Sequence, residues 1–123
     1  MKRLLLHITL LLISPFSFAD WDDVYYCQMT NAIEITLEGE QIKHKLEKLT
    51  FKLDKTKKAM VFGKQGYFQN NEMELRQKES WPSIESWYAD GYDAYGYFDK
   101  GKFLYVMTGA GGTSAISANC ERF

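Results

Sequence analysis

Residue types that commonly carry out catalysis are scarce in this chain. His44 is the single histidine beyond the first 19 residues, and it lies between Lys43 and Lys45. A Ser-His-Asp arrangement needs a histidine held by a partner, and a zinc site needs several ligands. We therefore predict that His44 is a surface residue, that the chain is not an enzyme, and that it holds no metal and no cofactor.

Two cysteines, Cys27 and Cys120, are the only cysteines in the sequence. In an oxidising compartment such a pair predicts a disulfide, and two free thiols or half of a metal site are the alternatives. The bridge would enclose nearly the whole chain, and loop entropy would then contribute roughly 4 to 5 kcal/mol to stability. Bridged cysteines cannot act as nucleophiles or metal ligands, which disfavours a further class of enzyme.

Acidic and aromatic residues are interleaved between Glu79 and Asp99, without a lysine or arginine. This mixture suits stacking against sugars, a cationic ligand or a basic protein partner. Alternatively, aromatic residues that alternate along strands fill a core or the inside of a barrel. From this segment we select three candidate binding residues: Trp87, Tyr92 and Asp93.

The same segment contains carboxylates that could form a hydrolase pair. Asp90 with Asp93, or Glu85 with either, would supply two carboxyl groups that flank a scissile bond in unlike environments. The sequence fixes no distance between these groups, so a carboxylate-dependent hydrolase is an alternative interpretation only.

The small residues at 109–114 are similar in composition to a phosphate-binding loop. They lack the lysine of that loop, and Ser114 stands where a dinucleotide fingerprint has its third glycine. The strand-like alternation that follows offers no helix N-terminus for an anion. We predict either a loop over 108–114 that enters the cleft of a partner or a wide turn or bulge. The candidate binding residues here are Gly109, Gly111, Gly112 and Ser114.

Seven lysines lie between Lys43 and Lys58, against two acids. They could form a patch for an acidic partner, an anionic lipid or a polyanionic envelope polymer. Alternatively, they are the outward positions of a solvated hairpin, where lysine prevents pairing between sheet edges.

The first 19 residues have the pattern of a secretory signal peptide. Two basic residues precede an apolar run at 4–13 that is too short to span a bilayer, and Ser17 and Ala19 supply small residues for cleavage. We predict that residues 1–19 are removed and that the protein is periplasmic or extracellular. Residues 20–123 would form one domain without a transmembrane segment. Their 13 basic and 16 acidic residues give a net charge of −3, which disfavours nucleic acid as a partner.

Period-two alternation dominates the rest of the chain and predicts strands. Ile33, Ile35 and Leu37 alternate with polar residues, which would make one face of the chain apolar and the other wet. Residues 40–48 have both helical and strand spacing, so one short helix is an alternative there. Turn residues at short intervals, such as those at 99–102, divide the chain into seven or eight strands.

The predicted fold class is all-β, as a small antiparallel barrel or sandwich. A Cys27–Cys120 bridge places the first and last strands side by side, because bridged Cα atoms lie within about 7 Å, and this favours a barrel. In outline, a small exported β-domain with one long-range disulfide resembles the periplasmic lysozyme-inhibitor barrels. That resemblance implies an inhibitor-like binding function.

We therefore expect a non-enzymatic binding module whose partner is a protein or an envelope polymer. The first alternative is a barrel that holds an apolar small molecule, since eight strands leave an interior only just wide enough for one. The hydrolase described above is the second alternative.

Overall fold

The structure, a computed structural model, describes residues 19–78 and 86–123, and strands make up their regular structure. The strands are β1 (Val24–Thr36), β2 (Gln41–Lys43), β3 (Lys48–Asp54), β4 (Ala59–Phe62), β5 (Glu72–Lys78), β6 (Ser86–Gly91), β7 (Ala94–Asp99), β8 (Lys102–Gly109) and β9 (Gly112–Arg122). No helix occurs in the two described ranges. The predicted signal peptide, apart from its last residue, and the acids Glu79 and Glu85 lie outside them.

The helical alternative for residues 40–48 is wrong, because this segment pairs with β1. The His44 N–H donates to the Ala32 carbonyl oxygen (2.8 Å), and the Met29 N–H donates to the Glu47 carbonyl oxygen (3.0 Å). These bonds satisfy backbone groups in the sheet that a helix would have to satisfy internally.

Apart from β2, each strand pairs antiparallel with the next, and β9 returns to pair with β1. Eight strands thus form a closed barrel, and β2 is an additional short strand beside the end of β1. Cys27 stands opposite Cys120, and their disulfide joins the two strands with Cα atoms 4.0 Å apart. The predicted all-β fold and the predicted disulfide are confirmed, and the barrel replaces the sandwich alternative.

A β-bulge at Thr30 changes which side chains of β1 face inward. The pairing of β1 with β9 shifts between Met29 and Asn31, so one residue is inserted there. Beyond the insertion the alternation changes phase, and Ile33 and Ile35 face outward. Ile35 is 50% exposed, so the expectation that these residues lie on a sheltered apolar face is wrong.

The turns define two ends of the barrel. At the lower end, Lys100 and Gly101 connect β7 to β8 with positive φ angles of 47° and 75°, as a tight hairpin turn requires. This turn confirms the one predicted at 99–102. At the upper end lie the tips of two further hairpins, Tyr92–Asp93 and Ala110–Gly111.

Aromatic side chains fill the middle and lower parts of the barrel. Phe51, Phe98 and Phe103 are buried, and the Phe51 ring centroid lies 5.1 Å from that of Phe98 and 5.7 Å from that of Phe103. Trp21 packs edge-on against buried Trp87 at 4.8 Å near the lower end. This packing stabilises the fold by removing large apolar surfaces from water.

The inner side of β6 and β7 is lined by small residues toward the upper end. The Met73 side chain packs there, and a Cβ added at Gly96 or Gly91 would lie 3.6 Å or 3.4 Å from its Cε atom. Methionine fills such irregular space well because its side chain is unbranched and flexible.

Candidate functional site

One side of the barrel exterior carries no charged side chain in its central part, within the residues that the structure describes. It consists of outward positions on β6 to β9 and on the upper half of β1, and we call it the uncharged face. Its members are Ile33, Ile35, Tyr88, Tyr95, Tyr97, Leu104, Val106, Ala115 and Ser117. Neighbouring strands lie about 4.8 Å apart, so five strands make this face about 20 Å wide.

The strand register arranges most of these side chains in two rows. The upper row crosses β7, β8, β9 and β1 at directly opposed positions: Tyr95, Val106, Ala115 and Ile33. The lower row crosses β6, β7, β8 and β9 in the same way: Tyr88, Tyr97, Leu104 and Ser117. Directly opposed side chains on one face have Cβ atoms about 5 Å apart, so the rows form a continuous surface.

Large apolar side chains in these rows meet water. Tyr95 is 54% exposed, Leu104 52% and Val106 40%. The ring centroids of Tyr88 and Tyr95 lie 6.1 Å apart. A single exposed apolar residue is ordinary on a protein surface, whereas a contiguous apolar patch marks an interaction site.

Polar side chains at the β1 border of the face are bonded to one another. The Thr30 and Ser117 hydroxyl oxygens lie 2.7 Å apart, and Asn31 Nδ2 donates to Ser117 Oγ at 2.8 Å. The bulge in β1 brings Thr30 and Asn31 together beside β9. Because these groups satisfy one another, an apolar partner could cover this border at a smaller cost of desolvation.

The opposite exterior, over β3 to β5, is charged. We call it the charged face, and its charged members are Lys48, Lys52, Asp54, Glu72, Glu74 and Arg76. Lys57, in the turn between β3 and β4, also belongs to this face. Its Nζ atom donates to Glu72 Oε1 at 2.6 Å, and this hydrogen bond raises the pKa of Lys57. Lys52 Nζ lies 3.8 Å from Asp54 Oδ2. Several lysines of the 43–58 run thus occupy a hairpin exterior among acids.

Trp87, a predicted binding residue, lies in the core. It is 0% exposed, because β6 directs Trp87 and Ala89 inward and Tyr88 and Asp90 outward. The expectation that Trp87 reaches a partner is therefore corrected, and its neighbour Tyr88 occupies the surface instead. The Trp87 Nε1 atom has no hydrogen-bond partner among the described residues.

The other candidates from sequence gather at the upper end. Tyr92 is 94% exposed at the β6–β7 tip, and the carbonyl oxygen of Asp93 accepts a hydrogen bond from the Thr108 N–H at 3.0 Å. This bond ties the first hairpin tip to β8, whose continuation forms the second tip. Tyr92 and Asp93 thus lie near Gly109 and Gly111 at one end of the barrel.

The glycine-rich segment is a tight hairpin, which corrects the predicted loop over 108–114. β8 and β9 stay paired up to Gly109 and Gly112, so only two residues form the turn. Gly112 has a φ of +131°, and a Cβ there would overlap the Ile35 carbonyl oxygen. The absence of a side chain at Gly112 therefore allows β9 to approach β1 closely. Added Cβ atoms at Gly109 and Gly111 would meet open space.

The two described acids of the hydrolase alternative have different settings. Asp90 lies on the exterior of β6, where its Oδ2 atom is 4.0 Å from Arg76 Nε. Asp93 lies in the upper turn with a positive φ of 52°. Glu85, the third acid considered, lies outside the described residues.

A cavity of about 320 Å³ opens beside the upper part of β1. The buried apolar part of its lining is Met29, Ala32 and Ile116. The more exposed part consists of Ile33, Glu34, His44, Lys45, Glu47, Tyr67 and Ser114. His44 Nε2 lies 2.9 Å from Glu34 Oε2, so this histidine is on the surface but has a partner. Ser114, a predicted binding residue, is part of this lining.

The uncharged face was missed by the sequence analysis. On β7 and β8, apolar residues occupy both phases of the alternation, as in Tyr95-Gly96-Tyr97 and Phe103-Leu104-Tyr105. A strand with one wet side usually carries polar residues at every second position, so apolar residues in both phases predict that its outer side is apolar as well. That signal is present in the sequence and could have identified the face.

No helix in the described residues is long and apolar enough to cross a membrane. No group of three or more histidine, cysteine, aspartate or glutamate side chains is placed to hold a metal ion in the same part of the chain. The disulfide indicates an oxidising, non-cytoplasmic compartment.

The chain has no significant match among protein-family models, curated proteins or solved structures.

Proposed function

We propose that this protein is a non-enzymatic binding module of the periplasm or extracellular space, and that it binds a protein partner on the uncharged face. The observation that carries the proposal is the pair of opposed apolar rows across β6 to β9 and β1. Contact with solvent alone gives no reason to place tyrosine, leucine and valine at outward positions of the three adjacent strands β6 to β8, or isoleucine at outward positions of β1.

The composition of the face favours a protein over an envelope polymer. A glycan is bound by aromatic rings together with polar groups that hydrogen-bond its hydroxyls. Here only the β6–β7 side is aromatic, and Leu104, Val106 and Ile33 continue the surface with aliphatic groups. The Ser117 hydroxyl at its border is already bonded to Thr30 and Asn31. Aliphatic side chains gain most from contact with the apolar side chains of another protein.

The size of the face suits the centre of an ordinary interface. Such interfaces bury about 800 Å² on each partner, with an apolar centre and a polar rim. The uncharged face would supply the centre, and Tyr95 and Tyr97 are of a residue type enriched in the energetically dominant positions. Asp90, Asp99 and Lys102 border it and would lie in the rim.

A matched pair of variants tests this assignment. Val106→Lys places a charge in the upper row, and Val61→Lys places the same charge on the charged face. Val61 faces outward between Lys52 and Glu72, so the control meets one charge of each sign. Both proteins and the unmodified chain are immobilised with the disulfide intact and exposed to an extract of the source cell envelope.

We expect the unmodified chain and Val61→Lys to retain the same partner protein in similar amounts. Val106→Lys should retain at least tenfold less of it. Equal retention by both variants would reject the uncharged face as the binding surface. Retention that survives protease but is abolished by glycan-degrading enzymes would assign a polymer partner instead.

A second candidate is inhibitor-like binding through the upper hairpin tips. The exposure of Tyr92 and the proximity of the two tips favour it. In the same capture experiment, Tyr92→Ala would abolish retention under this second mode and leave it unchanged under the first.

A further inference from the structure

The cavity beside β1 exists because two irregularities of the sheet face each other. The bulge at Thr30 displaces β1, and residues 44–47 interrupt the run between β2 and β3 on the neighbouring side. Backbone bonds at His44 and Glu47 hold both margins of the interruption against β1. The opening is therefore built into the backbone and does not depend on one movable side chain.

The floor of this cavity is apolar. Met29, Ala32 and Ile116 line it, and each is at most 8% exposed. Tyr67 forms part of the wall. Its backbone N–H donates to the Lys48 carbonyl oxygen (2.9 Å), which attaches the Tyr67 loop to β3. A volume of about 320 Å³ lies at the lower end of the range for small-molecule sites.

The rim carries two carboxylates and one lysine ammonium group. Glu34 and Glu47 line it together with Lys45 and His44. Glu34 is engaged by His44 at 2.9 Å. Glu47 makes no side-chain hydrogen bond or ion pair with any residue in the described ranges, so its carboxylate is the available anionic group.

We infer that this cavity binds a small organic cation: a primary ammonium group attached to a short hydrocarbon group. The hydrocarbon would lie on Met29, Ala32 and Ile116, and the ammonium would interact with the Glu47 carboxylate. Ile33 lines this cavity and also belongs to the uncharged face, so the two sites adjoin. The residues that would contact the cation, Met29, Ala32, Ile116 and Glu47, are not members of that face, so occupation of the cavity does not need the proposed protein partner.

The test uses n-hexylammonium as the probe and hexanoate, its anionic counterpart of similar length, as the comparison. Each is titrated into the purified protein at pH 7 while the backbone amide signals of Ser114 and Ile116 are followed by NMR. We expect saturable shifts with hexylammonium and at least fivefold weaker binding of hexanoate. Ethylammonium should also bind more weakly, because each buried CH₂ contributes about 0.8 kcal/mol, close to a fourfold change in affinity.

Glu47→Gln is the informative variant, and Glu38→Gln is its control. Glu38 is an exposed carboxylate in the β1–β2 turn, so its loss changes the net charge equally without altering the cavity lining. We expect hexylammonium to bind about fivefold more weakly to Glu47→Gln, the range of an exposed ion pair, and with unchanged affinity to Glu38→Gln. The inference is overturned if hexylammonium causes no saturable shifts, if hexanoate binds as tightly, or if both variants behave alike.

Discussion

The uncharged face and the charged face are outward sides of the same barrel, yet they are built differently. On the charged face, lysines and acids pair at the surface, as Lys57 and Glu72 do at 2.6 Å. On the uncharged face, opposed positions such as Tyr95 and Val106 carry apolar groups that are about half exposed. Barrel closure needs neither pattern, so the difference between the two sides is the feature that the proposed binding function accounts for.

The interior gives a second contrast with the uncharged face. Phe103 and Leu104 are neighbours on β8, but Phe103 is 0% exposed and Leu104 is 52% exposed. Apolar residues in the inner phase thus stabilise the fold, and those in the outer phase form the surface that we propose for a partner. A residue of the outer phase should contribute to binding and little to stability.

Removal of the disulfide should have the largest effect on stability. Cys27 and Cys120 join β1 and β9, two strands that also form part of the uncharged face. We expect Cys27→Ser with Cys120→Ser to lower the free energy of unfolding by roughly 4 kcal/mol, because the unfolded chain regains the entropy of a long loop. Denaturant titration measures the change, and hydrogen exchange should increase more in β9 than in β4. A loss below about 1 kcal/mol would contradict this role of the bridge.

Truncation of neighbouring residues on β8 should separate the inner from the outer phase. We expect Phe103→Ala to cost about 3 kcal/mol or more, because it removes a buried ring and leaves a cavity. Leu104→Ala should cost less than about 1 kcal/mol, because Leu104 is already half in water. Thermal and chemical unfolding provide the comparison. Equal losses would mean that Leu104 belongs to the core and not to a binding surface.

Alkaline pH should distinguish the buried side of β1 from the exposed surfaces. Burial, and then the nearby negative charge of Asp23, raise the pKa of Tyr25 to about 12. In the unfolded chain the pKa of Tyr25 is about 10. The contribution of its protonated hydroxyl to the free energy of unfolding is therefore fully present below pH 10 and is lost as the pH rises through 12. We expect a loss of about 2 kcal/mol over this interval.

Unfolding measured at pH 9 to 12 checks that expectation. Tyr25→Phe should make the decline shallower, because phenylalanine has no proton to lose. Tyr92→Phe, which alters an exposed hydroxyl, is the control for the loss of a tyrosine. A decline that is as steep in Tyr25→Phe as in the unmodified protein would refute the assignment.

The smallest effect should come from the charged face. Lys57→Met removes the partner of Glu72 from an exposed pair, and such pairs contribute little because water and salt screen them. We expect a change in the unfolding midpoint that is barely measurable at low salt and disappears at 1 M salt. A large, salt-independent loss would show that the charged face has a structural role that its exposure does not suggest.

Local signals in the sequence were sufficient for the parts of the fold that depend on local chemistry. The Lys100–Gly101 turn needs positive φ angles, which glycine adopts easily. Two cysteines allow only one pairing, so the disulfide could be predicted as well. The inward and outward assignment on β1 could not be predicted, because it depends on the inserted residue at Thr30. That insertion is specified by pairing with β9, which is distant in sequence.

The candidate site was only partly predictable for the same reason. Residue type and local pattern predict Tyr92, Asp93 and Ser114 as binding residues, and these residues lie at the upper end of the barrel. Residue type alone predicts Trp87 as well, but the phase of β6 places it in the core. The rows of the uncharged face combine residues from five strands, and only the register of the closed barrel brings them together.

Site-specific photo-crosslinking tests the central claim most directly. A photoreactive phenylalanine derivative replaces Val106 on the uncharged face or Val61 on the charged face, and the protein is irradiated in the envelope of the source cells. We expect a discrete crosslinked protein from position 106 that is absent from position 61. Crosslinks of equal yield at both positions, or a discrete product only at position 61, would contradict the assignment of the uncharged face as the binding surface.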